Sequence, residues 1–143
     1  MVKVKVAIEG EEMKIVEKTG GSEVQDWNGT SGDKHLWWKG GQKPGDTMVL
    51  AFNAPQAGTQ RVFGRFLKAK DYGIAEFAIN GQKAAKPIDF YNNEVVVSDE
   101  IELGTFDLKA GENKLSITIT GANEKAEKSY MVGLDYLILK AVK

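Results

Sequence analysis

The chain has 143 residues, 42% hydrophobic and 27% charged, the balance of one ordinary globular domain rather than a disordered polymer or a coiled coil. Nineteen basic residues against twenty acidic ones leave a net charge of −1, so no basic face is expected to draw nucleic acid or anionic lipid. The absence of cysteine and the single histidine exclude a disulfide framework, thiolate catalysis, a zinc-thiolate site and any multi-histidine metal centre.

Residues 1–143 read as one domain of many short strands, with turn residues roughly 8 to 14 positions apart and sixteen glycines, the signature of an all-β sandwich or barrel. Val2 to Ile8 alternates, with Val2, Val4, Val6 and Ile8 on one face, which is a strand and not a signal peptide. Met13 to Glu17 is a second short run, and residues 18–34 read as one long polar loop. His35 to Lys39 is a short aromatic strand; Pro44-Gly45-Asp46 then turns the chain into Thr47 to Phe52, where Met48, Leu50 and Phe52 share a face. Gln60 to Lys68 is apolar on both faces, Val62 and Phe66 on one and Phe63 and Leu67 on the other, which places it in the middle of a sheet. Gly73 to Ile79 points Ala75, Phe77 and Ile79 inward and ends at Asn80-Gly81, a strong hairpin signal. A strand near Pro87 to Tyr91 follows, where Pro87 suits an edge or a strand start. Ile101 to Leu108 breaks its alternation at Gly104, which predicts a bulge. Asn113 to Thr120 alternates without fault, with Leu115, Ile117 and Ile119 inward, and Met131 to Leu139 closes the chain. No stretch has helical periodicity or approaches the roughly 18 apolar residues of a membrane helix.

No catalytic constellation stands out. The only imidazole, His35, lies beside Leu36 and Trp37 with no Gly-x-Ser-x-Gly elbow, and the glycines of 29–34 precede a strand rather than a phosphate-binding helix. Two other groupings carry chemistry. Glu9 and Glu11 stand two positions apart, so in an extended chain they share a face about 7 Å apart with like charge. Asp135 lies in the apolar run Val132 to Leu139, where an unpaired carboxylate would cost several kcal/mol. A hard cation such as calcium, which takes oxygen ligands, relieves both; the alternative is that the glutamates are exposed turn acids and Asp135 bonds a lysine or a backbone amide. The second grouping is aromatic: Trp27, Trp37, Trp38, Tyr72, Tyr91 and Tyr130. Trp37 and Trp38 are neighbours on a strand and must face opposite ways, so at most one enters the core. Trp38 is expected at the rim because it lies nearer the 39–46 turn, leaving Trp37 inside. If successive strands reverse direction, residues 39–46, 70–73, 91–100 and 121–130 gather at one end and bring together Trp38, Asp71, Tyr72, Tyr91, Asn92, Asn93, Asn123 and Tyr130. Aromatic faces with amides and carboxylates on one rim suit a sugar, whose C–H face stacks on rings while its hydroxyls take hydrogen bonds.

The order of several motifs resembles carbohydrate-binding modules of families six and thirty-five: Glu9-x-Glu11, Pro44-Gly45-Asp46, Ala54-Pro55-Gln56-Ala57-Gly58, Ile79-Asn80-Gly81, Ala110 to Leu115 and Gly133-Leu134-Asp135-Tyr136. With Trp37-Trp38, Lys70-x-Tyr72-Gly73 and Pro87-Ile88-Asp89-x-Tyr91, the chain is also similar to domains appended to large bacterial glycoside hydrolases. The resemblance implies a galactose-binding-like antiparallel jelly roll with a structural calcium held by Glu9, Glu11 and Asp135. It implies a non-catalytic module that binds a polysaccharide or oligosaccharide beside a secreted, extracellular or periplasmic catalytic domain, without nucleic-acid or membrane partners. In the resembling modules one aromatic precedes the Gly-Asp turn, which Trp37 or Trp38 matches. The second aromatic comes from a later loop, where this chain has Asp99 and Glu100 and its nearest ring is Tyr91; an asparagine precedes the closing strand, where Tyr130 stands and Asn123 is nearest. The rival expectation is an interaction module whose aromatics are buried against a catalytic domain or another subunit.

Overall fold

The computed structural model describes residues 7–39 and 43–142. Thirteen strands follow in chain order among them: β1 (Ile8–Glu9), β2 (Lys14–Lys18), β3 (Ser22–Asp26), β4 (Lys34–Trp38), β5 (Thr47–Ala54), β6 (Gly58–Lys68), β7 (Ile74–Ile79), β8 (Gln82–Lys83), β9 (Ile88–Asp89), β10 (Val96–Val97), β11 (Ile101–Leu108), β12 (Gly111–Gly121) and β13 (Val132–Ala141). They form two antiparallel sheets packed face to face, a β-sandwich. One runs β10-β6-β13-β4-β3, with β11 added to β6 and β1 to β13; the other runs β2-β5-β12-β7-β8, with β9 added to β7. The expected all-β jelly roll is what the chain forms. The alternation expected over Val2 to Val6 lies outside the described residues.

Period-two patterning explains the core. Leu115, Ile117 and Ile119 of β12 are buried and meet Val62 and Phe66 of β6 from the facing sheet. Phe66, Phe77 and Phe90 form a tilted cluster with ring centroids 4.8 to 6.1 Å apart, an arrangement worth more than its area alone. β6 is central, between β13 and β11, so both its faces are used. Phe63, on the outer face, is flanked by Arg61 and Lys140 at 5.0 and 4.8 Å from its centroid. The β7–β8 turn uses Asn80 (φ 50°) and Gly81 (φ 82°), the two left-handed residues that a tight hairpin requires. Gly104, at φ 143°, sits where the β11–β6 register slips, as the broken alternation predicted.

Residues 18–34 are not one loop: Ser22–Asp26 forms β3 and pairs with β4 in continuous register from Ser22↔Trp38 to Asp26↔Lys34. Its only large apolar residue, Val24, is half exposed, so no hydrophobic alternation announces it.

Asn113 ties the β11–β12 turn to the neighbouring hairpin. Its carboxamide accepts from Lys109 N and Asn80 Nδ2 and donates to the carbonyls of Lys109 and Gly111, and the side chain is 1% exposed. Replacing it by leucine strands these partners, so Asn113→Leu should lose about 2 to 3 kcal/mol of unfolding free energy in urea titrations. A loss under about 0.5 kcal/mol would show that the network is dispensable.

Candidate functional site

Two groupings stand on or beside the β6-β13-β4-β3 sheet. The first is acidic. β1 pairs with β13 so that Glu9 lies opposite Tyr136, and the following one-turn 3₁₀ helix, Gly10–Glu12, presses onto Leu134. A Cβ at Gly10 would stand 2.5 Å from the Leu134 carbonyl oxygen, so only glycine permits this approach. The β13–β6 register slips between Leu134 and Tyr136, and this bulge carries Asp135. Glu9 and Asp135 are buried, and Glu11 is half-buried with Oε1 shielded and lacking a hydrogen-bond partner. The Ser31 amide donates to Asp135 Oδ1 and Oδ2 at 3.0 and 3.3 Å, and Arg65 Nε stands 3.8 Å from Oδ2.

Burial pushes the Glu11 carboxyl up to about 7, and the carboxylates of Glu9, Asp135 and Glu12 add to it against a backbone hydrogen bond that lowers it. Burial likewise pushes Asp135 up to about 7, with Glu9 adding and Ser31 and Arg65 opposing. Three acids thus stand within electrostatic reach of one another. Their chemistry suits a hard cation, which prefers carboxylate and carbonyl oxygens. Among the described residues, however, no three acidic, histidine or cysteine side chains are close enough together to make a finished cage.

The second grouping is aromatic. β4 pairs Trp38 with Val132 and Leu36 with Leu134, all four core residues. Trp38 is therefore inside, 1% exposed, with Nε1 donating to the Thr19 carbonyl at 2.7 Å. Trp37 faces outward, half-buried, its Nε1 directed at Met131 Sδ at 3.2 Å and the Lys39 ammonium 5.8 Å from a ring centroid. This reverses the expected roles: β4 register, not distance from the turn, decides which ring faces the core. Trp38 cannot be a sugar platform.

Trp37 lines a depression of about 140 Å³ with Trp27, Tyr72, Asp71, Gln25, Leu67, Val95 and Met131. Its size suits a single ring, below the roughly 300 to 1,000 Å³ of drug-sized sites. Loops that sequence order alone brought to one end do meet. Ala69 bridges Tyr91, Tyr72 bridges Met131, and Glu127 N donates to Lys70 O at 2.8 Å. Asp71 and Tyr72 line the depression, although Tyr72 is a core residue only 5% exposed and not the open rim ring expected. Tyr91, Asn92, Asn93 and Tyr130 stand at the same end but do not line it. Tyr130 is held at φ 54° against the core, and Asn92 Nδ2 donates to the Glu94 carbonyl at 2.6 Å. Residues 40–42 of the expected 39–46 rim lie outside the described residues.

No protein-family model and no curated protein sequence matches the chain. Solved structures do. A segment of a Paenibacillus xanthan lyase superposes at TM-score 0.87 with 23% identity over 99% of this chain. A family 35 carbohydrate-binding module from Clostridium thermocellum superposes at TM-score 0.59 with 24% identity, over 96% of this chain and all of its own. The chain has the fold of a carbohydrate-binding module. A family 36 module of a multidomain xylanase from the hindgut metagenome of Trinervitermes trinervoides agrees at TM-score 0.58 with 14% identity, over 96% of this chain and 97% of its own. The chain spans 14% of the length of the xanthan lyase.

Within this module-type fold, Gln25, Leu67, Val95 and Met131 join the depression although sequence reading did not mark them; Trp27 was marked as aromatic but not placed in the rim. Gln25 sits on the unannounced β3, and the others come from segments that only the tertiary fold juxtaposes. Exposed Val95 lines the depression, whereas Asp99 and Glu100, standing where the resembling modules carry their second aromatic, do not.

Behind the depression His35 is fully buried, with Nε2 2.7 Å from Gln25 Oε1 and Nδ1 without a hydrogen-bond partner. Burial holds its imidazole down at about 4, against an ordinary 6.5. Its native ring stays neutral while the unfolded one gains a proton below pH 6.5, so the stability it contributes is complete above 6.5 and lost as the pH falls through 4. Wild-type protein should lose about 3 kcal/mol more than His35→Gln between pH 7.5 and 4 in urea titrations. Parallel losses in the two proteins would contradict a buried neutral imidazole.

Proposed function

We propose that the protein is a non-catalytic carbohydrate-binding module that seats a sugar ring of a polysaccharide or oligosaccharide in the Trp27, Trp37 and Tyr72 depression. The observation that carries this reading is a concave site on a rigid sheet face that combines aromatic rings with two polar groups, Asp71 and Gln25. Rings stack on the C–H faces of a pyranose while polar groups take its hydroxyls. Glu9, Glu11 and Asp135 would hold one calcium that stiffens the β1–β13 junction; the partnerless Glu11 Oε1 and the mutual repulsion of the three acids support it. The module would bring a polysaccharide-degrading enzyme to its glycan outside the cell, as its shared fold with a segment of a lyase and a module of a xylanase supports.

Affinity electrophoresis through gels containing single polysaccharides tests the binding. At least one glycan should retard the wild-type domain and release it on Trp37→Ala. Equal mobility in every gel would sink the proposal. One observation favours a second reading, a domain that packs inside a larger enzyme: the superposition on the lyase segment, at TM-score 0.87, is closer than that on the isolated family 35 module, at 0.59.

A further inference from the structure

Resting on the sugar-binding reading above, we infer that this depression is selective for neutral pyranoses and rejects the corresponding uronates, with Asp71 as the specificity-determining residue. Asp71 is the charged residue in the lining. Its backbone is pinned, since its carbonyl accepts from Met131 N at 3.2 Å while Gly73 N donates to Met131 O at 3.0 Å. The cations close in sequence or space are engaged elsewhere. Lys70 pairs with Glu127 at 3.2 Å, and Lys39, beside Trp37, pairs with Glu23 at 3.0 Å. Among the described residues, no ion pair or side-chain hydrogen bond engages the Asp71 carboxylate. Its charge is felt inside the site: the phenol of Tyr72, raised first by burial, is raised further by Asp71. An acceptor-only carboxylate welcomes the hydroxyl hydrogens of a sugar and repels a second carboxylate brought into a partly desolvated site.

Gln25 supplies the complementary donor. An amide oxygen only accepts, so His35 Nε2, 2.7 Å away, is the donor to Gln25 Oε1. That bond occupies the amide oxygen and leaves the Gln25 NH₂ as the end available to ligand. One acceptor and one donor flanking aromatic rings match a pair of free ring hydroxyls, and neither supplies the cationic fork that a uronate would call for.

The test uses the methyl glycosides of glucose, galactose and mannose beside the uronates of the same three sugars, titrated into the calcium-loaded domain at pH 7 by NMR. At least one neutral glycoside should bind tenfold or more tightly than its uronate, and the ratio should shrink as salt screens the repulsion. Asp71→Asn should bring each pair to within about threefold while the neutral sugar still binds. Uronates binding as well as neutral sugars, or a ratio unchanged in Asp71→Asn, would overturn the selectivity while leaving sugar binding in place. Saturable shifts from none of the six would overturn both.

Discussion

Trp38→Ala is expected to lose about 3 to 5 kcal/mol of unfolding free energy, the cost of emptying a large buried aromatic side chain. Trp38 is 1% exposed and packs with Leu36, Val132 and Leu134, and its indole N–H satisfies the Thr19 carbonyl at 2.7 Å, which the alanine would strand. Trp37→Ala should show the opposite pattern. Its ring is half-buried on the outer face and gives up its contact with Met131 Sδ, so the stability loss should be smaller. Sugar affinity should nevertheless fall about ten- to a hundredfold, taking a stacked aromatic as worth roughly 1 to 3 kcal/mol. Urea unfolding and glycan titration on both variants check this. Any protein of the Trp38→Ala variant that remains folded should keep nearly native affinity, because the ring lies on the far side of the sheet. Weakened binding in folded Trp38→Ala with native binding in Trp37→Ala would contradict the placement of the two rings.

Calcium should produce the second large effect. A ligand that binds only the native state at a hundred times its Kd adds about 2.7 kcal/mol. Without a cation, Glu11 and Asp135 hold their protons up to about pH 7 in the native state. A group whose folded pKa is raised contributes stability that is complete below its unfolded value, near 4 for a carboxyl, and lost as the pH climbs through about 7. Calcium needs these groups ionised, so its stabilisation grows over that same window. The difference in melting temperature between calcium and chelator should therefore be greatest near pH 8 and nearly gone by about pH 5. Comparing the two conditions at each pH cancels the opposite contribution of His35. Asp135→Ala should abolish the calcium-dependent difference at every pH. A melting temperature indifferent to chelator at pH 8 would remove the metal from this protein.

Much of the sandwich was legible because each strand is half-buried and the side-chain period is two. β12 shows this best: Leu115, Ile117 and Ile119 alternate with polar residues and all three are buried. Asn80-Gly81 and Gly104 were legible for a different reason, since their backbone conformations, at φ 50°, 82° and 143°, favour particular residues. β3 was hidden because it is the last strand of its sheet and buries little apolar surface. The Trp37/Trp38 pair marks another limit. Adjacency dictates opposite faces, but only pairing with β13 says which face is the core. The convergence of Glu9, Glu11 and Asp135 was partly legible from like charges and an apolar setting. The bulge at Asp135 and the Gly10 approach to Leu134 that bring them together are tertiary. The sugar depression was legible in its chemistry and not in its membership, because its wall is assembled from β3, β4, β6 and four separate loops.

The most direct test is a crystal of the calcium-loaded domain grown with whichever oligosaccharide retards it in gels. One sugar ring should lie against Trp37 between Trp27 and Tyr72, with hydroxyls within hydrogen-bond distance of Asp71 and Gln25. A sugar bound on the β2-β5-β12-β7 face, or one that leaves the Trp37 depression empty, would contradict the assignment of this site.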